Sequence, residues 1–225
     1  SEPKEIDFST VLASSVHDMK NSVSMLLASL HEVIESLPPG SLQSEQVNSL
    51  QYEASRINNE LVSLLSVYRM QQKRLPLHID AHYVIDVLED QVARNYPLIE
   101  SRGVNLQVEC DNDLEGYFDA DLLGSVIQNV LVNGCRYTRS QLLLRAEQID
   151  DMLRVSVADD GEGFPEEMLR NHEQCIPGEQ GSTQLGLFFA RMIAERHANA
   201  GKTGRIALRN GQPLGGAVFE LYVPN

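Results

Sequence analysis

Tryptophan is absent from this chain of 225 residues, cysteine occurs three times, and lysine plus arginine number 18 against 32 acidic residues. Each shortage closes a route. The formal charge of -14 argues against a nucleic-acid backbone as the main partner and against docking on an anionic membrane, because both need a cationic surface. Cys110, Cys135 and Cys175 are odd in number, widely separated and in no CxxC arrangement. That leaves neither a disulfide framework nor a structural zinc site, and it fits a reducing, cytoplasmic setting. No apolar run nears the ~20 residues of a membrane-spanning helix, and the N-terminus lacks the charged-then-apolar order of a signal peptide. A chain that starts at Ser1 already entering a helix reads as a piece of a longer protein, with any sensor or membrane segment outside it.

What is present is 42% hydrophobic, enough for one large core or two moderate ones. Val11, Leu12, Val16, Met19, Val23, Leu26, Leu27, Leu30, Val33 and Ile34 recur at spacings of three and four, which predicts a helix from about Ile6 to Ser36. Leu37-Pro38-Pro39-Gly40 ends it, since two prolines and a glycine cannot continue the hydrogen-bond ladder. A second helix, about Ser41 to Gln72, carries Val47, Leu50, Ala54, Ile57, Leu61, Leu64, Leu65 and Tyr68 in a nearly heptad rhythm. One hairpin offers too little surface to bury both stripes, so dimerisation into a four-helix bundle is expected.

Leu75-Pro76-Leu77 interrupts the helical pattern and sets an expected boundary between residues 1–74 and 75–225. Beyond it the pattern predicts a helix from about Ala81 to Ser101, a strand at Asn105–Glu109, an extended piece at Gly116–Phe118 and a helix capped by Asp119 or Asp121. Strands at Gln141–Ala146 and Leu153–Ala158 follow, then an irregular stretch, a helix at Leu185–Asn199, and strands at Arg205–Leu208 and Ala217–Val223. Paired strands with interposed helices predict an α+β layer sandwich and not a repeating βαβ sheet.

Four stretches carry chemistry. In Val16-His17-Asp18-Met19-Lys20-Asn21 an imidazole has a carboxylate beside it to orient it and an amide one turn on, which equips it as a nucleophile or proton carrier. Asn129, Asn133 and Arg136 share one face of a helix, where amide oxygens suit Mg²⁺ and a guanidinium answers phosphate. Asp159-Asp160-Gly161-Glu162-Gly163 follows an apolar strand, so Asp159 emerges at the strand end, where its carboxylate can accept from a purine amine, and the glycines permit positive φ. Leu185-Gly186-Leu187, with Gly181 and Thr183 just ahead, is expected to open a helix whose N-terminal amides form an anion site. Each stretch also has a plain reading: a surface histidine, polar-face amides, a turn and an ordinary helix start.

Taken in order, Asn129-Val-Leu-Val-Asn133-Gly-Cys-Arg136-Tyr137-Thr138, Asp159-x-Gly161-x-Gly163, Leu185-Gly186-Leu187 and Gly215-Gly216 before the closing strand resemble the successive motifs of the GHKL ATP-binding fold. With the His17 hairpin ahead of them, the whole chain resembles the dimerisation and catalytic core of a two-component sensor histidine kinase. The resemblance implies a helical hairpin forming a dimeric four-helix bundle, followed by an α/β two-layer sandwich. It implies His17 as phospho-acceptor, Asp18 as the acid that orients it, and Asn21 as the amide that places water for dephosphorylation. It further implies ATP with Mg²⁺ at Asn133 and Asn129, Arg136 and Tyr137 near ribose and phosphates, and Asp159 on the adenine with Gly161 and Gly163 letting the nucleotide approach. Thr183, Leu185, Gly186 and Leu187 would lie by the phosphates, and the partners would be a second copy and a response-regulator receiver domain.

Two departures stand out. Ser22 replaces the usual proline after the amide, which removes an expected kink. Gln184 stands where a glycine would let the lid backbone fold over the triphosphate, so a positive φ there would cost ~1 kcal/mol and closure is expected to be poorer. The rival readings are a nucleotide-binding dimeric scaffold without autokinase activity, favoured by Gln184, and a gyrase-like or chaperone ATPase, disfavoured by the hairpin.

Overall fold

The computed structural model describes residues 8–36, 45–71, 76–171 and 182–225, and the chain falls into two compact units, Ser1–Pro76 and Leu77–Asn225.

The first unit holds α1 (Phe8–Ser36) and α2 (Glu45–Gln71). The Ser24 hydroxyl lies 3.2 Å from Asn58 Oδ1, which places the middle of α1 beside the middle of α2, as in a hairpin. Val16, Tyr52, Ala54, Leu65 and Val67 are buried, together with Asn59 and Ser63. Met19, Leu26 and Val33 on α1, and Leu50, Ile57 and Leu64 on α2, are exposed. Each set repeats every seven residues and lies on one side of its helix. At Ser22, the hydroxyl donates to the Asp18 carbonyl at 2.9 Å, an i to i−4 back-bond that bends helices gently where a proline would break the ladder.

The second unit begins with β1 (Asp80–Tyr83), α3 (Val84–Ser101), β2 (Asn105–Glu109), β3 (Glu115–Phe118) and α4 (Ala120–Tyr137). Next come β4 (Gln141–Ile149), β5 (Met152–Asp159), α5 (Glu166–Asn171) and α6 (Ser182–Arg196). Two short strands, β6 (Ala198–Asn199) and β7 (Lys202–Thr203), precede β8 (Arg205–Asn210) and β9 (Ala217–Pro224). The main sheet has the order β2-β4-β5-β9-β8, with β2 parallel to β4 and the other neighbours antiparallel. Alternation puts Leu142, Leu144, Val155, Val157, Phe219 and Leu221 on one face, all buried. That face meets the helices: a Cβ on Gly134 of α4 would stand 3.0 Å from Leu142. Leu123, Leu131, Phe189 and Ile193 complete a two-layer core.

Three expectations are corrected. Residues 80–83 are a strand and not the start of a helix, because β1 pairs with β3 (His82 opposite Gly116) and Tyr83 keeps an extended backbone as the cap of α3. The stretch expected to be irregular contains α5, begun where the Pro165 carbonyl accepts from the Met168 and Leu169 amides; residues 172–181 lie outside the described residues. Finally, α6 starts at Ser182, three residues early, and stops at Arg196, since residues 198 and 199 pair with β7.

Candidate functional site

The site is built on the end of β5 and on the C-terminal end of α4. Asp119, not Asp121, caps α4: its carboxylate accepts from the Leu122 amide at 3.0 Å. Asn129, Asn133, Arg136 and Tyr137 follow on the later turns. The two asparagines are half-buried, whereas Arg136 and Tyr137 are exposed, with the guanidinium 5.3 Å from the Tyr137 ring centre. Beside them, burial pushes the Cys135 thiol up to about 11, so it is a packing residue and no nucleophile.

Asp159 is buried at 7% exposure. Its Oδ1 accepts from the Gly161 amide at 2.8 Å and the Ala217 amide at 3.1 Å, and its carbonyl accepts from Gly216 at 3.0 Å. Among the described residues no group bonds to Oδ2, so a buried carboxylate keeps one oxygen for a donor from outside. Crowding explains the glycines. A Cβ on Gly161 would collide with the Tyr137 carbonyl, and one on Gly216 with Asp159 itself. Gly163 adopts φ +88 and packs against the Asn210 side chain, which accepts from the Phe164 amide at 2.7 Å and donates to its carbonyl at 2.9 Å. The structure therefore gathers Tyr137, Asp159, Gly161 and Gly163 around one turn.

Asp160, overlooked in the motif reading, ties that turn to α4. Its carboxylate accepts from the Thr138 hydroxyl at 2.6 Å, the Arg139, Ser140 and Gln141 amides at 2.8, 3.0 and 3.2 Å, and the Ser140 hydroxyl at 2.9 Å. Desolvation pulls the carboxyl upward, but the donors, led by Thr138 and Ser140, outweigh it and hold the group well below the usual carboxylate range. A second acid beside Asp159 and a run of small donors after Tyr137 were the available signals. Asn210 and Gly216 carried weaker ones, since their roles depend on β8 and β9 folding back on the turn.

On α6 the expected anion site shifts. Because the helix begins at Ser182, the Gly186 amide falls inside the ladder and the first-turn amides belong to Ser182, Thr183 and Gln184. Leu187 is buried, Leu185 and Gly186 are half-buried, and a Cβ on Gly186 would meet nothing within 4 Å. Gln184 has helical backbone, so the positive φ expected there is not needed. Gly181 and the side chains of Thr183 and Gln184 lie outside the described residues. In the other unit, Asp18 and Asn21 are exposed on α1 beside buried Val16; the His17 side chain lies outside the described residues.

The geometry has a counterpart among known proteins. Residues 118–225 match the family described as histidine kinase-, DNA gyrase B-, and HSP90-like ATPase. The chain is 29% identical over 217 residues to the alginate biosynthesis sensor protein KinB of Pseudomonas aeruginosa, covering 92% of this chain and 35% of that protein. It is 25% identical over 212 residues to the virulence sensor histidine kinase PhoQ of Salmonella typhimurium, covering 92% of this chain and 42% of that one. Residues 118–225 thus match the ATPase domain of that family, and the relatives matched along most of the chain are sensor proteins. Its fold agrees: the Acinetobacter baumannii histidine kinase AdeS superposes with a TM-score of 0.60 at 16% identity, covering 92% of this chain and 97% of that one. The chain spans 35% of the first of these relatives and 42% of the second, and its second unit is an ATPase-type sandwich, as the motifs implied. Among its described residues no helix is long and apolar enough to cross a membrane.

Proposed function

We propose that this chain is an autokinase core that transfers the γ-phosphoryl group of ATP to His17 and then to an aspartate of a response-regulator receiver domain. The observation that carries the reading is Asp159, a buried carboxylate with one oxygen held by Gly161 and Ala217 and the other without a partner among the described residues. Such an oxygen accepts from the adenine amine while the Gly161 and Gly216 backbones, bare of Cβ, let the base come close. In the transfer the imidazole nitrogen of His17 bonds to the γ-phosphorus. The bond from that phosphorus to the bridging oxygen breaks, ADP leaves with the electron pair, and Asp18 takes the imidazole proton.

The site fits a metal-bound nucleotide, because the half-buried amides of Asn129 and Asn133 are hard oxygen donors. No cluster of three acidic, histidine or cysteine ligands that could hold a metal alone occurs among the described residues. Mg²⁺ at Asn133, assisted by Asn129, would neutralise phosphate charge, and Arg136 would add its own cation. Thr183, Leu185, Gly186 and Leu187 would line the phosphate end from α6. Asn21 would hold the water that removes phosphate from the receiver.

The exposed heptads Met19, Leu26, Val33 and Leu50, Ile57, Leu64 support a homodimer in which two hairpins form a four-helix bundle. The same acidic, helical piece would work in the cytoplasm without touching lipid or nucleic acid. Helical backbone at Gln184 supports an active kinase over an inactive scaffold, since no positive φ is called for there. Incubation with γ-labelled ATP and Mg²⁺ tests the reading: acid-labile, base-stable label on the wild type that vanishes in His17→Gln, with nucleotide binding retained, is expected. Undiminished label on that variant, or phosphate release without label, would overturn it.

A further inference from the structure

Both helices that bear nucleotide-side residues meet, at their far ends, on one buried residue, Asp119. Asp119, at 4% exposure, accepts from the first turn of α4 through Oδ1, the Leu122 amide at 3.0 Å. Its Oδ2 accepts from the His78 amide at 2.9 Å. Its own amide donates to Nε2 of His197 at 3.1 Å, and His197, at 1% exposure, closes the C-terminal end of α6 with Nδ1 2.8 Å from the Ile193 carbonyl. Because a backbone N–H can only donate, Nε2 carries no proton and Nδ1 does. His197 is further held through its backbone, donating to Ala194 at 3.0 Å and accepting from Gly204 at 2.9 Å.

A helix cap needs only one side-chain oxygen. The second oxygen of Asp119 goes to residue 78, the second residue of the ATP-binding unit, where the chain arrives from Pro76. From this three-way junction we infer that Asp119 is a positioning residue for phosphotransfer: its carboxylate clasps the incoming chain to the start of α4, where its own amide already holds the end of α6, and so governs delivery of the bound nucleotide to His17 without touching ATP. The nucleotide residues of α4 lie on its last turns and those of α6 on its first, so the clasp acts on both through rigid helices. Its kinetic consequence rests on the autokinase reading, whereas its structural consequence does not.

The test compares the whole chain with Asp119→Asn and Asp119→Ser. Either side chain still offers one acceptor to Leu122, but Asn turns an NH₂ toward one of the two amides and Ser is too short to reach residue 78. Amide hydrogen exchange of His78 is expected to quicken about tenfold in Asp119→Ser, the scale of one lost charge-assisted hydrogen bond, while the amides of α4 beyond its first turn keep their protection. Autophosphorylation kcat is expected to fall about tenfold with KM for ATP unchanged, and Asn to fall between Ser and wild type. Unchanged exchange at His78, an unchanged kcat, or kcat and KM shifting together would each overturn the inference. Should the wild type place no label on His17, the autokinase reading fails by itself and the exchange of His78 decides the clasp.

Discussion

The neighbouring carboxylates at the end of β5 are satisfied in different ways, and the difference sorts their roles. Asp160 spends its oxygens on the segment after α4, whereas Asp159 spends one on Gly161 and Ala217 and has no bond to the other among the described residues. Asp159→Asn keeps an acceptor for the Gly161 and Ala217 amides but presents a donor to the adenine amine, so nucleotide affinity should drop by about 1–3 kcal/mol with the fold intact. Calorimetric titration with an ATP analogue checks this, and an unchanged affinity would refute it. His197 gives a prediction in pH. Burial, set against the bond to Ile193 and the charge of Asp119, lowers its imidazole below the ordinary 6.5. With the folded value below the unfolded one, the unfolded chain binds the extra proton in the window beneath 6.5. Stability is therefore full above that window and declines as pH falls through it. Urea midpoints at about pH 7.5 and about pH 5.5 should differ more for wild type than for His197→Gln, which lacks the titrating ring.

At the scale of elements, the G-rich turn and α4 are one assembly, since the Tyr137 carbonyl occupies the space where Gly161 would carry a Cβ. Gly161→Ala must push the turn from the helix end, a change that overpacking data put at about 1–3 kcal/mol. Thermal unfolding of that variant should shift down and nucleotide binding should weaken with it; a neutral effect on both would mean the two elements are not locked. For α6 the expectation reverses the motif-based one. Gln184 sits in helical backbone, so Gln184→Gly should cost up to ~1 kcal/mol of helix stability and should not speed autophosphorylation. A faster rate would show that this turn unwinds over the phosphates.

For the whole molecule, the exposed heptads of the hairpin lead to the last prediction. Ile57→Glu, which sets a charge in the seam of the proposed bundle, should convert a dimer seen by light scattering at micromolar concentration into monomer. A wild type that is already monomeric there would overturn the dimer. The sequence alone determined the two long helices, the paired strands and the glycine turn after Asp159, because helical and strand periods and turn glycines are local properties of the chain. It misplaced the start of α6 and residues 80–83, whose conformation depends on pairing with β3, distant in sequence. Only tertiary structure decided that Asp160 braces α4, that Gly216 and Ala217 close on Asp159, and that His197 and residue 78 converge on Asp119. The physical reason is that a buried polar group takes its role from whichever donors folding brings within about 3 Å of it, and these come from strands and helices far apart along the chain.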